Sequence, residues 1–391
     1  MVIPFNFSRT PRIFFGPGKT REFLSIIDFK NKNILFIAGK SSYNRSLNLL
    51  FIINRIETSS SAFYLKNISH EPTPGIIDSI VADFKDKKID YVIGAGGGSV
   101  LDSAKAVSAM LTVEGSVKDY LEGFNDRKIH PGESVPCIAI PTTSGTGSEA
   151  TKNAVISETG INGFKRSLRH DNFVPIMAVV DPENVITCPS YVTASSGMDA
   201  LTQLLESYVS TQSNSFTDAI ARSGLDYTVH SLEAAYKDGP DIEARSGMAY
   251  AALCSGITLA HAGLGTVHGF ASSIGSRFPM PHGTICGTLL AVVTEFTIKK
   301  LIDIKPDSGA LEKYSRVGKL FHQSNNRSDS YYLGYLVSEL YRLTDTLNIP
   351  RLVEAGFDLK VITQVAAGTS CKNNPVSLTE DELEEIQKRR V

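Results

Sequence analysis

Two histidines, His268 and His282, stand at the ends of the segment HGFASSIGSRFPMPH, which consists mostly of small and apolar residues. A single buried histidine is usually a hydrogen-bonded core residue. Upstream, Asp199, Gln203 and Glu206 in GMDALTQLLESYVS have the i, i+4, i+7 spacing of one helix face. One carboxylate with two imidazoles can bind a catalytic divalent metal and leave a coordination position open. The residues alone therefore indicate either a metal site or an exposed polar helix face.

A glycine-rich loop, GAGGGSVLD at residues 94–102, directly follows a predicted strand and opens a predicted helix. Consecutive glycines let the backbone approach a ligand closely, and the N–H groups at a helix start can bind a phosphate. Ser99 and Asp102 have the S-x-x-D spacing of a helix cap. Ser99 also stands where the dinucleotide fingerprint has its last glycine, so that the fingerprint is incomplete. The loop predicts a phosphate site, with a tight strand-to-helix turn as the alternative.

A second loop of glycine and hydroxyl residues, PTTSGTGSE at residues 141–149, follows another apolar strand. Two such loops at the carboxyl ends of neighbouring parallel strands form the crevice in which a dinucleotide binds. Their coincidence favours a cofactor site more strongly than either loop does alone.

The secondary structure predicted to position these loops differs between the first and the second half of the chain. Short apolar runs, typical of buried parallel strands, alternate with helical patterns at 74–88 and 99–111. The runs are 33–38, 62–65, 91–95, 136–141 and 176–182. After Pro182 only helical patterns follow. We therefore predict an α/β dinucleotide-binding domain with a parallel sheet at 1–187, an all-α domain at 188–391, and a cleft between them.

Composition narrows the classes of partner. The 391 residues include 39 basic and 41 acidic side chains, a formal net charge of -2, without a basic stripe or polybasic end. We therefore expect small molecules as partners rather than nucleic acid or a membrane surface. The five cysteines are far apart and form no CxxC pair, and the N-terminus lacks the features of a secretory signal, which predicts a cytoplasmic protein. The apolar stretch at 247–265 contains His261 and favours a core helix over a transmembrane one.

Four segments in order, GGGSVLDSAK, PTTSGTGSEAT, GMDALTQLLESYVS and VHGFASSIGSRFPMPHG, resemble the motifs of the iron-containing (group III) alcohol dehydrogenases. The N-terminal IFFGPG fits as well, so the resemblance covers nearly the whole chain. It implies a dehydroquinate synthase-like fold, with a nicotinamide cofactor and one divalent metal in the cleft. It also implies a homodimer formed through an N-terminal edge strand.

The resemblance assigns the metal to Asp199, His268 and His282. It assigns cofactor contacts to Gly97, Gly98, Ser99, Asp102, Thr142, Thr143, Thr146, Asn153, Lys165 and Val192.

Two positions depart from the family pattern, because Gln203 and Ser272 stand where the family has histidines. An amide is a weaker ligand than imidazole for iron or zinc. Whether Gln203 binds the metal is left open, and three protein ligands with water, as in glycerol dehydrogenases, would favour zinc over iron. Ser272 and Lys165 are the candidate proton carriers. Metal-free reduction, as in maleylacetate reductases, is an alternative.

These assignments predict an NAD(P)-dependent enzyme that moves a hydride between the nicotinamide and a small alcohol, aldehyde or ketone, while the metal polarises the substrate oxygen. The end of the second strand predicts a preference for NADP. In NAD-specific proteins an acid at this position repels the 2′-phosphate of NADP. The segment FIAGKSSYNR has Gly39 and Lys40 there instead. The alternative is that Lys40 is an ordinary surface lysine with no role in cofactor choice.

Two rival functions keep the same fold. A lyase of the dehydroquinate synthase type would act on an acidic substrate and use NAD only transiently, and it would need clustered basic residues. The candidates are Lys152, Lys165, Arg166 and Arg169. A non-catalytic dinucleotide-binding protein is the other rival, and the departures at Gln203 and Ser272 are its support.

Overall fold

A computed structural model describes residues 4–324 and 326–391. Its strands are β1 (Arg12–Phe15), β2 (Asn33–Gly39), β3 (Ala62–Ile68), β4 (Tyr91–Gly96), β5 (Cys137–Pro141), β6 (Asn153–Glu158), β7 (Phe164–Arg169) and β8 (Met177–Val180). Six of them form a parallel sheet in the order β1-β8-β5-β4-β2-β3, and β6 and β7 pair separately as an antiparallel hairpin. The predicted parallel sheet is confirmed.

All five strands predicted from apolar runs are present in this sheet, as β2, β3, β4, β5 and β8. The sequence analysis did not predict β1 or the β6–β7 hairpin. Strand β1 has four residues, of which the first two are exposed. The hairpin strands, NAVISE and FKRSLR, carry polar and charged residues among few apolar ones. Neither has the continuous apolar run that marks a strand buried on both faces.

Helices cover both faces of the sheet. They are α1 (Lys19–Phe23), α2 (Lys40–Arg45), α3 (Leu47–Ser59), α4 (Pro74–Phe84) and α5 (Gly98–Met110). Successive residues of β2 point to opposite faces, so Leu35 belongs to one apolar core and Phe36 to the other. Helices α4 and α5 pack into the core of Leu35, and α3 packs into that of Phe36. Burial on both faces explains why these strands read as apolar runs.

The second half is helical. Its helices are α6 (Ser190–Val209), α7 (Ser215–Lys237), α8 (Ile242–Ala262), α9 (Thr266–Gly275), α10 (His282–Ile304), α11 (Gly309–His322), α12 (Asp329–Thr346), α13 (Ile362–Gly368) and α14 (Glu380–Arg389). They share one apolar core. The predicted boundary at 187/188 lies in the connection between β8 and α6.

Among the described residues, no single helix has the length and apolarity to cross a membrane, although α8 and α9, which meet at a bend of 96°, would have both if taken together.

Candidate cofactor cleft and metal site

A cleft of about 780 Å3 lies between the sheet and the helices of the second half. Its walls come from the segments after β2, β3 and β4, the loop after β5, the start of α6, and the segment that leads into α10. Parallel α/β sheets bind their ligands at the carboxyl ends of the strands. The cleft therefore lies where the two predicted loops require a cofactor site.

The first loop lines this cleft with Gly97, Gly98 and Ser99. Gly97 is the N-cap of α5 and makes no side-chain cap, which leaves the first N–H groups of the helix available to a phosphate. A Cβ atom at Gly98 would lie 2.7 Å from Cγ2 of Thr146 in the second loop. Glycine at this position therefore lets the two loops approach each other closely.

The prediction that Ser99 and Asp102 cap α5 is wrong, because the helix begins one residue before Ser99. Asp102 instead accepts hydrogen bonds from Ser148 Oγ at 2.6 Å and from the Val155 N–H at 3.0 Å. It also lies 3.1 Å from Nζ of the buried Lys105. Asp102 thus supports the second loop from behind and is absent from the cleft lining.

Lys105 makes further hydrogen bonds that hold the second loop and the residues after it. Its Nζ donates to the carbonyl oxygens of Ser148 and Asn153 and to Thr151 Oγ1. Asn153, a predicted cofactor contact, serves here through its backbone carbonyl and does not line the cleft. Like Asp102, it holds the second loop in place in this structure.

The other predicted cofactor residues do meet in the cleft. They are Gly39, Lys40, Thr142, Thr143, Thr146, Lys165 and Val192. Arg45, at the end of α2, joins Lys40 at the same wall and was not predicted. The cleft thus has two cations beside the end of β2, which is where a 2′-phosphate would bind.

The predicted metal ligands come together beside this cleft, which Asp199 and His282 line. Asp199 on α6 has its Oδ1 3.4 Å from Nε2 of His268 on α9 and 3.6 Å from Nε2 of His282 on α10. Sγ of Cys286, one turn after His282, lies 3.8 Å from Nε2 of His268 and 3.9 Å from Nε2 of His282. One donor atom from each of these four residues lies within 4.8 Å of all the others.

Close packing of α6 and α10 makes this geometry possible. A Cβ atom at Gly283 would lie 2.2 Å from the carbonyl oxygen of Ser195, so the helices touch at backbone level here. Behind the cluster, Glu206 Oε2 lies 2.7 Å from Nδ1 of His268, and its Oε1 accepts from the Val267 N–H at 2.7 Å. A carboxylate behind a histidine fixes the ring and leaves Nε2 for a metal.

The cluster fits a divalent cation on its own polar atoms. Oδ1 of Asp199 is buried and has no hydrogen-bond partner among the described residues. A buried carboxylate oxygen without such a partner is costly unless a cation neutralises it. With nitrogen, oxygen and sulfur donors facing it, the donor set is one that zinc or iron accepts.

Protonation of the two histidines differs. Burial, with help from Lys165 and His268, lowers the pKa of His282 to about 4, so that its ring is neutral near pH 7. Burial also opposes a charge on His268, but contacts with Cys286, Asp199 and Glu206 outweigh it and raise its pKa well above the usual value. Burial would raise the pKa of Asp199, yet the neighbouring histidines lower it. Because a metal binds the neutral form of histidine, protons compete with a metal at this cluster.

The side chain of Gln203 makes a hydrogen bond to α8. Its Oε1 accepts a hydrogen bond of 2.8 Å from Ser255 Oγ on α8, and Ser255 Oγ also reaches the Gly145 carbonyl oxygen at 3.2 Å. The amide oxygen, which is the ligand atom of glutamine, already has a partner. Gln203 therefore links α6, α8 and, through Ser255, the second loop, and its role as a ligand stays a prediction.

The two predicted proton carriers lie in different surroundings. Ser272 is exposed on α9 and does not line the cleft, so the structure does not place it at the site. Lys165, on β7, lines the cleft and forms an ion pair of 2.9 Å with Glu71, which also accepts from Ser157 Oγ. Burial opposes charge on Glu71, but Lys165 outweighs it and lowers the pKa of Glu71.

The four basic residues considered for an acidic substrate do not form a cluster. Lys152 pairs with Asp171 at 2.7 Å. Arg166 donates to the backbone carbonyl oxygen of Glu122, and Arg169 lies 3.5 Å from the carboxylate of the same residue. Of the four, Lys165 alone lines the cleft. The arrangement does not favour a lyase of the dehydroquinate synthase type.

Cys286, Glu71 and Arg45 are the site residues that sequence reasoning missed. Cys286 had a usable signal, because it lies four residues after His282 on a helix and so shares its face. Glu71 follows β3 and meets Lys165 across 94 residues of chain. Nothing local in the sequence predicts that contact.

Two family models match the two halves of the chain. The family model "Iron-containing alcohol dehydrogenase" matches residues 10–182, and "Fe-containing alcohol dehydrogenase family, C-terminal" matches residues 193–391. Alcohol dehydrogenase 4 of Saccharomyces cerevisiae is 33% identical over 390 residues, covering 97% of this chain and 96% of that protein.

Two further matches span most of both chains. A 1-propanol dehydrogenase of Citrobacter freundii is 30% identical over 351 residues, 90% of this chain and 87% of that protein. The solved alcohol dehydrogenase of Oenococcus oeni superposes with a TM-score of 0.87 at 23% identity, covering 99% of this chain and 100% of the other, and this shows a common fold. The chain therefore belongs to the iron-containing alcohol dehydrogenase family.

Proposed function

We propose that this protein interconverts small alcohols and their aldehydes or ketones, with a nicotinamide dinucleotide as hydride carrier and a divalent metal, iron or zinc, at the Asp199 cluster. The observation that carries the proposal is that Asp199 and His282 line the same cleft as the glycine loop. A cofactor held by that loop would therefore share the cleft with two of the metal donors. The Citrobacter freundii relative is a 1-propanol dehydrogenase, which supports a small primary alcohol as substrate.

The residues of the chain divide the task between binding and proton transfer. The loops at Gly98 and Thr146 hold the dinucleotide phosphates, and Asp199, His268 and His282 hold the metal. When bound, the metal polarises the substrate oxygen. Phe278 and Met280 give the cleft an apolar wall next to His282, which suits a short carbon chain and excludes water.

Lys165 is the proton carrier that we propose. Its Nζ is held by Glu71 in the cleft, and its stem passes Gly275 at the end of α9, where a Cβ atom would lie 3.5 Å from Lys165 Cδ. A bound nicotinamide would supply the hydride for reduction of the carbonyl, and Lys165 Nζ would give the proton to the substrate oxygen and regain it from solvent. Oxidation runs the same transfers in reverse.

We further propose NADP(H) as the preferred cofactor, because Lys40 and Arg45 line the wall where the 2′-phosphate would bind. A homodimer through the edge strand β1 and a cytoplasmic location complete the proposal. The five cysteines are free, which suits a reducing compartment.

The test is oxidation of NADPH or NADH with propanal and with longer and shorter aldehydes, at saturating iron or zinc. We expect net oxidation of the cofactor and formation of the alcohol, with less than about 1% of the parent rate in His282→Ala. Cofactor binding without net turnover would contradict the proposal and favour the non-catalytic alternative. Equal rates in the parent and in His282→Ala would instead favour metal-free reduction.

A further inference from the structure

We propose that Cys286 is the fourth protein ligand of the metal, in the place that the histidine missing at Gln203 leaves open. The proposal rests on the metal site of the proposed function and assigns a donor that differs from those inferred by resemblance.

Cys286 is placed for this role by α10. It lies one turn after His282, so both side chains leave the same face of the helix toward Asp199 on α6. Its side chain is fully buried. Gly283 and Gly287 lie on the intervening and following turns, where a Cβ atom would meet Ser195 and Met198 of α6 at 2.2 and 3.0 Å. The thiol is therefore held against the carboxylate.

The separations between donor atoms match a single four-coordinate ion. Bonds of about 2.1 Å to nitrogen or oxygen and about 2.3 Å to sulfur, at tetrahedral angles, put N and O about 3.4 Å apart and S and N about 3.6 Å apart. In the structure the two N···O separations from Asp199 are 3.4 and 3.6 Å, and the two S···N separations from Cys286 are 3.8 and 3.9 Å. The other donor pairs lie within 4.8 Å of each other, so the four donors can close around one ion.

The unpartnered Oδ1 of Asp199 is the second observation that points to a cation. The Asp199 side chain is 2% exposed, and this oxygen has no hydrogen-bond partner among the described residues. Gln203 Oε1 accepts a hydrogen bond from Ser255 on α8, whereas Sγ of Cys286 lies within 3.9 Å of Nε2 of both His268 and His282. The Cys286 thiol is the remaining soft donor beside both imidazoles.

Ligation replaces a proton by the metal. As the bond from sulfur to the metal forms, the S–H bond breaks and the proton leaves to solvent, with no change in oxidation state. The carboxylate and the thiolate together then balance the charge of a divalent ion, whereas a carboxylate with three histidines leaves one positive charge. A thiolate also makes the donor set softer, which favours zinc over iron.

The test is zinc K-edge X-ray absorption of the protein reconstituted with one equivalent of zinc. We expect one sulfur neighbour at about 2.3 Å beside nitrogen and oxygen neighbours at about 2.1 Å. In Cys286→Ser the sulfur neighbour disappears, and zinc binds at least about 100-fold more weakly, more than the loss of a hydrogen-bond partner behind a ligand costs. Cobalt substitution adds a second readout, a near-ultraviolet charge-transfer band that only a thiolate ligand gives and that Cys286→Ser lacks.

Cys371→Ser, at a half-buried cysteine outside the cluster, is the matched control and retains both signals. Stoichiometric zinc with only nitrogen and oxygen neighbours in the parent protein would overturn the assignment of Cys286 and leave the proposed function intact. Failure of the parent to bind zinc or cobalt would overturn both this assignment and the metal in the proposed function. The parent spectrum decides the question even if the variants do not fold.

Discussion

Glu206 Oε2 lies 2.7 Å from Nδ1 of His268, and the two residues are 62 positions apart in the chain. The carboxylate fixes the ring so that Nε2 faces Asp199, and its other oxygen ties the start of α9 through the Val267 N–H. The polar face predicted for α6 therefore serves two purposes. Asp199 is a proposed metal donor, and Glu206 orients a second proposed donor, His268.

Glu206→Gln tests that orientation. The amide keeps the size of the side chain but loses the charge that makes His268 a stronger ligand. We expect metal affinity to fall by about 10- to 100-fold, measured by competition with a chelating dye. Glu243→Gln, an exposed change on α8, serves as the control and keeps the parent affinity. Unchanged affinity in Glu206→Gln would show that the carboxylate contributes nothing to ligation.

Removal of the metal should lower thermal stability. The cluster brings α6, α9 and α10 together, and an ion that binds only the folded state stabilises it by about 4 kcal/mol when present at about 1,000 times its Kd. We expect a chelator to lower the Tm of the parent and to leave that of His282→Ala unchanged. A parent Tm that does not respond to added metal or to chelator would refute the site.

Cofactor preference should depend on Lys40. An acid at the end of β2 would bind the ribose hydroxyls and repel a 2′-phosphate. We expect Lys40→Asp to reduce kcat/KM for NADPH relative to NADH by about tenfold or more, equivalent to about 1.4 kcal/mol. Lys30→Asp makes the same charge change at an exposed residue outside the cleft lining. If both variants changed the ratio equally, net charge rather than the cleft wall would be responsible.

Stability should also depend on pH through Glu149. Burial raises the pKa of this carboxyl from 4.5 to about 7, so the folded protein keeps a proton that the unfolded chain has already lost. Its contribution to the free energy of unfolding is full below the unfolded pKa and is lost as pH rises through the folded pKa.

Between about pH 5 and about pH 8, the free energy of unfolding of the parent should fall as Glu149 loses its proton. We expect that of Glu149→Gln to fall by about 2 kcal/mol less over the same range, measured by denaturant titrations at each pH. Glu158→Gln, an exposed change on β6, should follow the parent curve. A Glu149→Gln variant with the parent pH dependence would show that another group is responsible.

The sheet and the cleft loops were predictable because their signals are local. Buried parallel strands read as apolar runs, and a glycine loop between a strand and a helix marks a phosphate site wherever it occurs. The family resemblance then brought Asp199, His268 and His282 to one place, and the structure agrees. These predictions needed no knowledge of contacts between distant segments.

The errors concern residues whose partners lie far along the chain. The spacing of Ser99 and Asp102 fits a cap, but Asp102 instead bonds to Ser148 and Val155, 46 and 53 residues away. Glu71 meets Lys165 across 94 residues of chain, a contact that no local pattern indicates. Such roles are decided by tertiary packing, which a local pattern does not contain.

All four donors of the metal cluster lie on helices of the second half, whereas the glycine loop and Lys40 belong to the first. Substitutions that exchange one metal for another therefore fall in a different stretch of sequence from those that exchange one dinucleotide for another. Metal specificity and cofactor specificity can therefore change independently during evolution. A change of metal donor in the second half, such as the proposed use of Cys286, therefore leaves the cofactor loops of the first half untouched.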